Sequence, residues 1–124
     1  MKSHHYCIAL LLITLTATSQ AGAPSAEKLL TRCGWFENPT PANAWLTDKD
    51  GEWVIGVQGG HQADGDWPEF KDSQWVKTNV YYGYGCACFN LVADAKTHQV
   101  SKIISARGVS LKQCRKDRSL KEPQ

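Results

Sequence analysis

The chain has 124 residues, with 14 Lys or Arg against 12 Asp or Glu, so its formal net charge is only +2 at pH 7. This near-neutral balance argues against a general nucleic-acid-binding protein, which would carry a clear excess of basic side chains. The length predicts a single small domain with a modest hydrophobic core.

The first 21 residues have the pattern of an export signal. Lys2 supplies a positive charge, and an apolar run of 11 residues from Cys7 to Ala17 follows it. Ser19 and Ala21 then place small residues where signal peptidase cuts. Since 11 residues are too few to span a bilayer, we predict a cleaved signal peptide over residues 1–21. The mature domain, residues 22–124, is expected to be periplasmic or secreted, with no membrane insertion.

A short helix and then an extended segment are predicted at the start of the mature domain. Ser25 is a suitable N-cap for a helix through Thr31, and Gly34 lies beyond its end. Prolines 39 and 41 bias the residues before them away from helix, so Glu37 to Asn43 should be extended or turned.

The next segment predicts a β-hairpin. Ala44 to Asp48 and Glu52 to Gln58 flank the sequence KDG, in which Gly51 supplies a positive φ. Alternate residues from Trp53 to Val57 point to one face, which indicates a sheet with one buried side. Trp53 is the predicted core residue of this strand, because tryptophan buries a large area.

The second half of the chain predicts a loop, a second hairpin and a terminal helix. The polar, glycine-rich loop covers Gly59 to Pro68, and a helical turn is expected at Asp72 to Lys77. The remaining elements are strands at Cys86 to Ala93 and Gln99 to Arg107, joined by Asp94 to His98, and a helix carrying Cys114 that Ser110 and Gln113 open as a capping box. The predicted class is α+β: a β-rich single domain of about five mostly antiparallel strands with short terminal helices.

Four cysteines lie beyond the signal: Cys33, Cys86, Cys88 and Cys114. An even number in a small exported domain indicates two disulfides. If Cys86 and Cys88 share a strand, their Cα atoms are about 6.6 Å apart and their Cβ vectors run parallel, which disfavours a direct bond. We therefore predict that one bonds to Cys33 and the other to Cys114; the spacing does not decide which.

Two other uses of the cysteines fit less well. A thioredoxin-like centre needs Cys-x-x-Cys at a helix start, whereas Cys86 and Cys88 are separated by one residue in a predicted strand. A zinc site of four thiolates is possible by number, but the ligands are scattered along the chain and the compartment is oxidising.

Acidic residues concentrate in the middle of the chain. From Glu37 to Asp72 there are eight acids against two lysines, whereas from Arg107 onward six bases face two acids. Such runs are usually solvated surface, but the acidic one is also a candidate face for a cationic partner. Within it, Trp67 has the expected features of a partly exposed anchor for a protein or a sugar. The candidate binding residues are His61, Asp64, Asp66, Trp67 and Glu69.

No catalytic residue, metal ligand or cofactor is predicted. His61 and the acids near it match no metal-binding loop spacing. There is no G-x-S-x-G motif, and disulfide bonding would leave no cysteine as a nucleophile. Glu52 with Asp64 stays open as a carboxylate pair of the kind that glycoside hydrolases use.

Four motifs resemble a family of small exported bacterial proteins catalogued as a domain of unknown function. They are RCGWFENPTPANAWLTDKDGEW from Arg32 to Trp53, then VQGGHQADGDWP, YGYGCACF and SLKQCRKDRSL. Together they cover nearly all of the mature chain and include its four cysteines. The resemblance implies a single exported domain and brings no activity, cofactor or partner with it.

The expected function is that of a non-enzymatic binding module, such as an inhibitor, an immunity-type protein or a receptor for an envelope component. Its predicted working surface is the loop from Gly59 to Asp72, and its partner a basic protein or an envelope component. Two alternatives stay open: a cell-wall hydrolase with a carboxylate pair, and a purely structural envelope protein.

Overall fold

The computed structural model describes residues 26–124 and, of the chain before them, Ala17 alone. The predicted signal peptide therefore lies outside the described residues, except for that alanine. Within residues 26–124 the chain forms six strands, one 3₁₀ turn and one short helix. The strands are β1 (Glu27–Thr40), β2 (Asn43–Asp48), β3 (Gly51–Gly56), β4 (Trp75–Asn79), β5 (Tyr82–Asp94) and β6 (Val100–Val109); the turn is Asp72–Gln74 and the helix α1 is Leu111–Arg115.

The strands form one antiparallel sheet centred on β1 and β5. The order is β3-β2-β1-β5-β4, and β6 pairs with β5 as well. The start of β5 pairs with β4 and its remainder with β6, both on the side opposite β1. The β-rich class is therefore confirmed, with six strands where about five were expected.

The sheet curls until its two ends meet. The Val54 amide of β3 donates to the His98 carbonyl just before β6, at 2.9 Å. The chain after β3 lies between the same two strands: the Ala63 amide donates to the Ile55 carbonyl, and the Asp64 amide to the Ser101 carbonyl. This closure buries the inner face of the sheet against itself. The large buried side chains there are Phe36, Leu46, Trp53, Ile55, Phe89, Leu91, Val100 and Ile103.

The two predicted hairpins are confirmed, with small changes at their ends. β2 and β3 are joined at Gly51, whose φ is +119°. Trp53 is buried as predicted. Val57 is not: β3 ends at Gly56, so Val57 lies beyond the sheet and is 47% exposed. β5 and β6 form the second hairpin, and β5 begins at Tyr82, earlier than predicted.

The predicted helix from Ser25 to Thr31 is wrong. From Glu27 onward this segment is strand β1, paired with β5. Leu30 packs on the inner core while Leu29 is exposed on the outer face, so the two leucines have the alternation of a strand. Pairing with a distant strand overrides the weak local preference for helix.

The remaining helical predictions are partly confirmed. The turn predicted at Asp72 to Lys77 stops at Gln74, because the next residues join the sheet as β4. α1 carries Cys114 as expected, and Ser110 occupies its N-cap position. The Ser110 side chain makes no capping hydrogen bond, so the predicted capping box does not form.

A second cluster of buried side chains lies on the outer face of the sheet, under the C-terminal segment, defined here as residues 110–124. Its buried members are Trp35, Tyr84, Cys86, Cys88, Val109 and Cys114. Leu111 and Leu120 of the C-terminal segment pack against it. Alternation along β5 explains both clusters, since neighbouring residues of a strand point to opposite faces.

The cysteines form two disulfides, Cys33–Cys88 and Cys86–Cys114. The prediction that Cys86 and Cys88 bond to distant cysteines is confirmed, and the partners left open are now assigned. Cys33 and Cys88 lie directly opposite each other on β1 and β5. Cys86–Cys114 instead fastens α1 to the outer face of β5.

One charged cluster lies next to the inner core at the β2–β3 hairpin. The Arg32 guanidinium donates to Asp48 at 3.3 Å and to Asp50, and it lies 4.5 Å from the Trp53 ring centroid. His98 stacks on Trp53, with 3.9 Å between ring centroids. The hydrogen bond from Arg32 holds the pKa of Asp50 below its usual value. Asp48, a buried carboxylate, is thereby paired, which avoids the cost of an isolated buried charge.

Candidate binding groove

The chain between β3 and β4 is a hydrogen-bonded connector, defined here as residues 57–71. Besides the bonds that close the sheet, the Val57 amide donates to the His61 carbonyl, and the Ile103 amide to the Asp64 carbonyl at 2.7 Å. Gly65 has a φ of +99°, and a Cβ there would lie 2.2 Å from the Ile103 carbonyl oxygen. The sequence predicted a loop here, and the structure shows that its backbone is fixed at several points.

Two of the five predicted binding residues lie at this closure. His61 is half-buried, and its Nε2 is 2.6 Å from the Val100 carbonyl oxygen. Asp64 uses its backbone to bridge to β6 and leaves its side chain exposed. His61 therefore has a contact that supports the fold, whereas the Asp64 carboxylate faces solvent.

The other three predicted residues line one groove. It has a volume of about 630 Å³ and lies between the end of the connector and β6. Its lining residues are Asp66, Trp67, Glu69, Phe70, Lys71, Gln74, Ala106, Arg107 and Gly108. The structure thus brings Asp66, Trp67 and Glu69 together, while His61 and Asp64 are not part of the lining.

The aromatic rings of the groove are held by the inner core. Trp67 packs edge-on against the buried Phe36, with ring centroids 5.7 Å apart. Phe70 stacks on the same phenylalanine at 5.9 Å and lies 4.8 Å from Trp75. Trp67 and Phe70 are both half-buried. Each ring therefore has one part fixed in the core and another part open to the groove.

Glycines of β5 and β6 make room for this arrangement. A Cβ at Gly85 would lie 2.5 Å from the Phe70 ring, and a Cβ at Gly108 would lie 2.6 Å from the Glu69 carbonyl oxygen. Any side chain at either position would displace the connector. Glycine inside a strand indicates close approach of another segment, and this was the available sequence signal for Phe70, which sequence reasoning missed.

Four charged side chains line the groove: Asp66, Glu69, Lys71 and Arg107. The three ion pairs found among the described residues lie elsewhere, in Arg32 with Asp48 and Asp50 and in Arg115 with Glu122. No hydrogen bond joins any of the four groove side chains to another described residue. All four are therefore available to a ligand. Lys71 lies within the predicted working surface from Gly59 to Asp72, although it was not named as a binding residue. Arg107 was not predicted, because it reaches the groove only through closure of the sheet.

Only some of the acidic side chains between Glu37 and Asp72 are free to bind a partner. Asp48 and Asp50 are paired with Arg32, and the Glu37 carboxylate accepts a hydrogen bond from the Trp45 indole at 2.7 Å. Burial raises the pKa of Glu37, with a smaller contribution from Glu52. The exposed acids of the connector and the turn after it are Asp64, Asp66, Glu69 and Asp72. Two of these four exposed acids, Asp66 and Glu69, line the groove.

Other kinds of site find less support. Glu52 and Asp64, the pair considered for hydrolysis, do not line the groove. Within the part of the chain that the structure describes, no three His, Cys, Asp or Glu side chains are grouped so as to hold a metal ion. No helix among residues 26–124 is long and apolar enough to cross a membrane.

Comparison with known proteins identifies the family. A family model described as "Protein of unknown function (DUF4087)" matches residues 27–121. The chain belongs to this DUF4087 family. The match covers every strand and α1, and it confirms the expected membership of a family of unknown function. No curated protein and no solved structure matches the chain.

Proposed function

We propose that this DUF4087 protein is an exported, non-enzymatic binding module that holds a basic segment of a partner protein in the groove between the connector and β6. The main support for this proposal is the composition of the groove. Two aromatic rings that pack on the core, Trp67 and Phe70, lie there next to the unpaired carboxylates of Asp66 and Glu69. The two disulfides are the kind of bond that forms in oxidising compartments, which supports export.

The rings and the acids would contribute in different ways. Aromatic side chains that the core already orders lose little conformational freedom on binding, which makes Trp67 a suitable anchor. Exposed carboxylates attract a cationic partner over a distance and accelerate association more than they slow dissociation. Lys71 and Arg107, which also line the groove, would select partners whose basic residues are accompanied by an acidic group.

The test begins with the partner. The oxidised protein, immobilised, is used to recover partners from envelope and culture extracts, and association and dissociation rates are then measured with the purified partner. Asp66→Lys with Glu69→Lys should slow association and weaken its salt dependence. Glu52→Lys, a charge reversal of an exposed acid outside the groove, is the matched control and should leave both rates near wild type.

The Trp67→Ala variant tests the contribution of the aromatic ring to binding. Loss of an anchor ring worth about 2 kcal/mol should speed dissociation roughly thirtyfold or more while association changes little. Tyr81→Ala removes a ring that is 74% exposed and outside the groove, and it should not change dissociation. Unchanged affinity in both groove variants, with folding confirmed by circular dichroism, would remove the groove as the binding site.

The hydrolase alternative has a distinct readout. A carboxylate-pair hydrolase would release soluble fragments from purified cell wall, and Glu52→Gln or Asp64→Asn would abolish that release. Release by the wild-type protein that both variants lack would replace the binding proposal with a catalytic one. A purely structural envelope protein would show neither release nor a saturable partner.

A further inference from the structure

The two disulfides differ sharply in their access to solvent. Cys86 and Cys114 are 1% and 2% exposed, where the C-terminal segment packs on the outer face of β5. Cys88 is 7% exposed, but its partner Cys33 is an exposed residue of β1. A molecule in solution therefore has access to the Cys33 end of one bridge and to neither end of the other.

A cavity lies directly at the exposed bridge. Its volume is about 280 Å³, and both Cys33 and Cys88 line it. The other lining residues are Thr31, Phe89, Asn90, Ser105, Ala106 and Arg107. The polar members Thr31, Asn90 and Ser105 form a hydrogen-bonded row across β1, β5 and β6. The space suits a small polar molecule.

Arg107 brings a positively charged side chain to the cavity on the side of Cys88. It lies directly opposite Cys88 in the pairing of β5 with β6, and it lines the same cavity. A neighbouring guanidinium stabilises a thiolate relative to the thiol and so makes that sulfur a better leaving group. The cavity does not extend to Cys86 or Cys114.

We propose that Cys33–Cys88 is a thiol–disulfide exchange site for a small-molecule thiol, whereas Cys86–Cys114 is inert. The thiolate of the small molecule attacks Cys33 Sγ, the bond between the two cysteine sulfurs breaks, and the electron pair leaves on Cys88 Sγ beside Arg107. The products are a mixed disulfide at Cys33 and a thiolate at Cys88. A second small thiol then attacks the small-molecule sulfur of the mixed disulfide. This step releases Cys33 as a thiol and forms the small-molecule disulfide, so two thiols are oxidised and one bridge is reduced.

The fold can tolerate this reaction. β1 and β5 stay paired along the ladder from Glu27 to Asn38, independently of the bridge that crosses it. The C-terminal segment stays attached through Cys86–Cys114, which solvent does not reach. Exchange at Cys33–Cys88 therefore requires no unfolding.

The test treats the oxidised protein with graded mixtures of reduced and oxidised glutathione under native conditions. Acid quenching, alkylation and peptide mapping then follow each cysteine. We expect glutathione on Cys33 and a free thiol on Cys88, with Cys86–Cys114 reacting at least about tenfold more slowly. Opening of both bridges at one common rate, first opening of Cys86–Cys114, or glutathione on Cys88 would each overturn the proposal.

Arg107 is tested by substitution. Arg107→Gln should slow mixed-disulfide formation about three- to tenfold, because the leaving thiolate loses its cation. Arg107→Lys should keep most of the rate. Arg118→Gln, at an exposed arginine of the C-terminal segment outside the cavity, is the matched control and should react like the wild type. Equal rates for the glutamine variant and the wild type would overturn the role of Arg107 as the cation at the leaving sulfur.

Discussion

The outer face of β5 has two halves that share one strand and one alternation but differ in what lies on them. In the covered half, Tyr84 and Cys86 are buried together with Trp35 and Val109 under the C-terminal segment. In the open half, Asn90 is exposed and its hydrogen bonds lie in a solvent-facing row. Only one residue separates Cys86 from Cys88, yet their two bridges differ. Both ends of the Cys86 bridge are buried, whereas the Cys88 bridge has an exposed end and lines a cavity.

The difference between the two halves shows that a short, mostly polar segment is enough to cover one half and form a second hydrophobic core there. Residues 110–124 carry several basic side chains but few apolar ones. The segment is held by three kinds of contact: the Cys86–Cys114 bond, packing of Leu111 and Leu120, and a polar link at its end. In that link the Tyr84 hydroxyl donates to Glu122 at 3.0 Å, and Arg115 donates to the same carboxylate.

The largest expected effect comes from a substitution that tests whether the covered half is a hydrophobic core. Trp35→Ala removes a fully buried indole and should lower the free energy of unfolding by about 3 to 5 kcal/mol. Thr31→Ala in the open half should change it by about 0.5 kcal/mol or less, because that side chain is exposed. Denaturant unfolding with both bridges intact measures the two values. Similar losses for both variants would contradict the division into two halves.

The next largest expected effect is the difference in how much the two disulfides stabilise the folded state. They close sequence separations of 55 and 28 residues, so chain entropy alone makes Cys33–Cys88 more stabilising, by about 0.6 kcal/mol. Replacing Cys86 and Cys114 by alanine also leaves a buried void and frees α1, which should cost more than that difference.

We therefore expect the Cys86→Ala and Cys114→Ala double variant to melt at a lower temperature than the Cys33→Ala and Cys88→Ala double variant. Thermal unfolding of the two double variants at one protein concentration gives the order. If the order is reversed, loop entropy dominates, and the covered half contributes less packing energy than its burial indicates.

A smaller effect concerns the polar link at the edge of the covered half. Tyr84→Phe removes the hydrogen bond to Glu122 and should cost about 1 kcal/mol at pH 7. Burial and the hydrogen bond to Glu122 raise the pKa of Tyr84. Because the folded state then holds this proton more tightly, the wild type should lose stability as the pH rises above about 10 and through the folded pKa.

Unfolding measured between neutral pH and about pH 11 separates this contribution from the general effect of alkali. The Tyr84→Phe variant should lose less stability over that interval than the wild type. Tyr81→Phe is the control, since Tyr81 is exposed and should follow the wild-type curve. Parallel curves for all three proteins would show that Tyr84 does not control the alkaline loss.

The parts of the fold that sequence predicted are those with local signals. The β2–β3 and β5–β6 hairpins join neighbouring segments through turns whose residues identify them, such as Gly51 and Asp94. β1 was mistaken for a helix at its start because its partner is far away: Thr31 pairs with Asn90, 59 residues later. Two adjacent leucines give no periodicity that separates a strand from a short helix.

The candidate groove was predicted in part for the same reason. Asp66, Trp67 and Glu69 are close in sequence, so composition alone grouped them. Arg107 joins them from β6 only after the sheet closes on itself, and no local pattern indicates that closure. Gly85 and Gly108 carried the nearest signal, since a glycine within a strand often marks the approach of another segment.

The smallest expected effect on stability comes from disrupting the polar row of the open half, which consists of Thr31, Asn90 and Ser105. Asn90 accepts a hydrogen bond from the Thr31 hydroxyl at 2.8 Å and donates to the Ser105 hydroxyl at 3.0 Å. All three groups are exposed, so water replaces the lost bonds, and Asn90→Ala should cost only about 0.5 kcal/mol. The same change removes a polar wall of the cavity at Cys33–Cys88. Mixed-disulfide formation should therefore change measurably while the melting temperature hardly moves. A large loss of stability with an unchanged rate of mixed-disulfide formation would mean that the polar row stabilises the fold. The open half would then differ from the covered half only in its exposure to solvent.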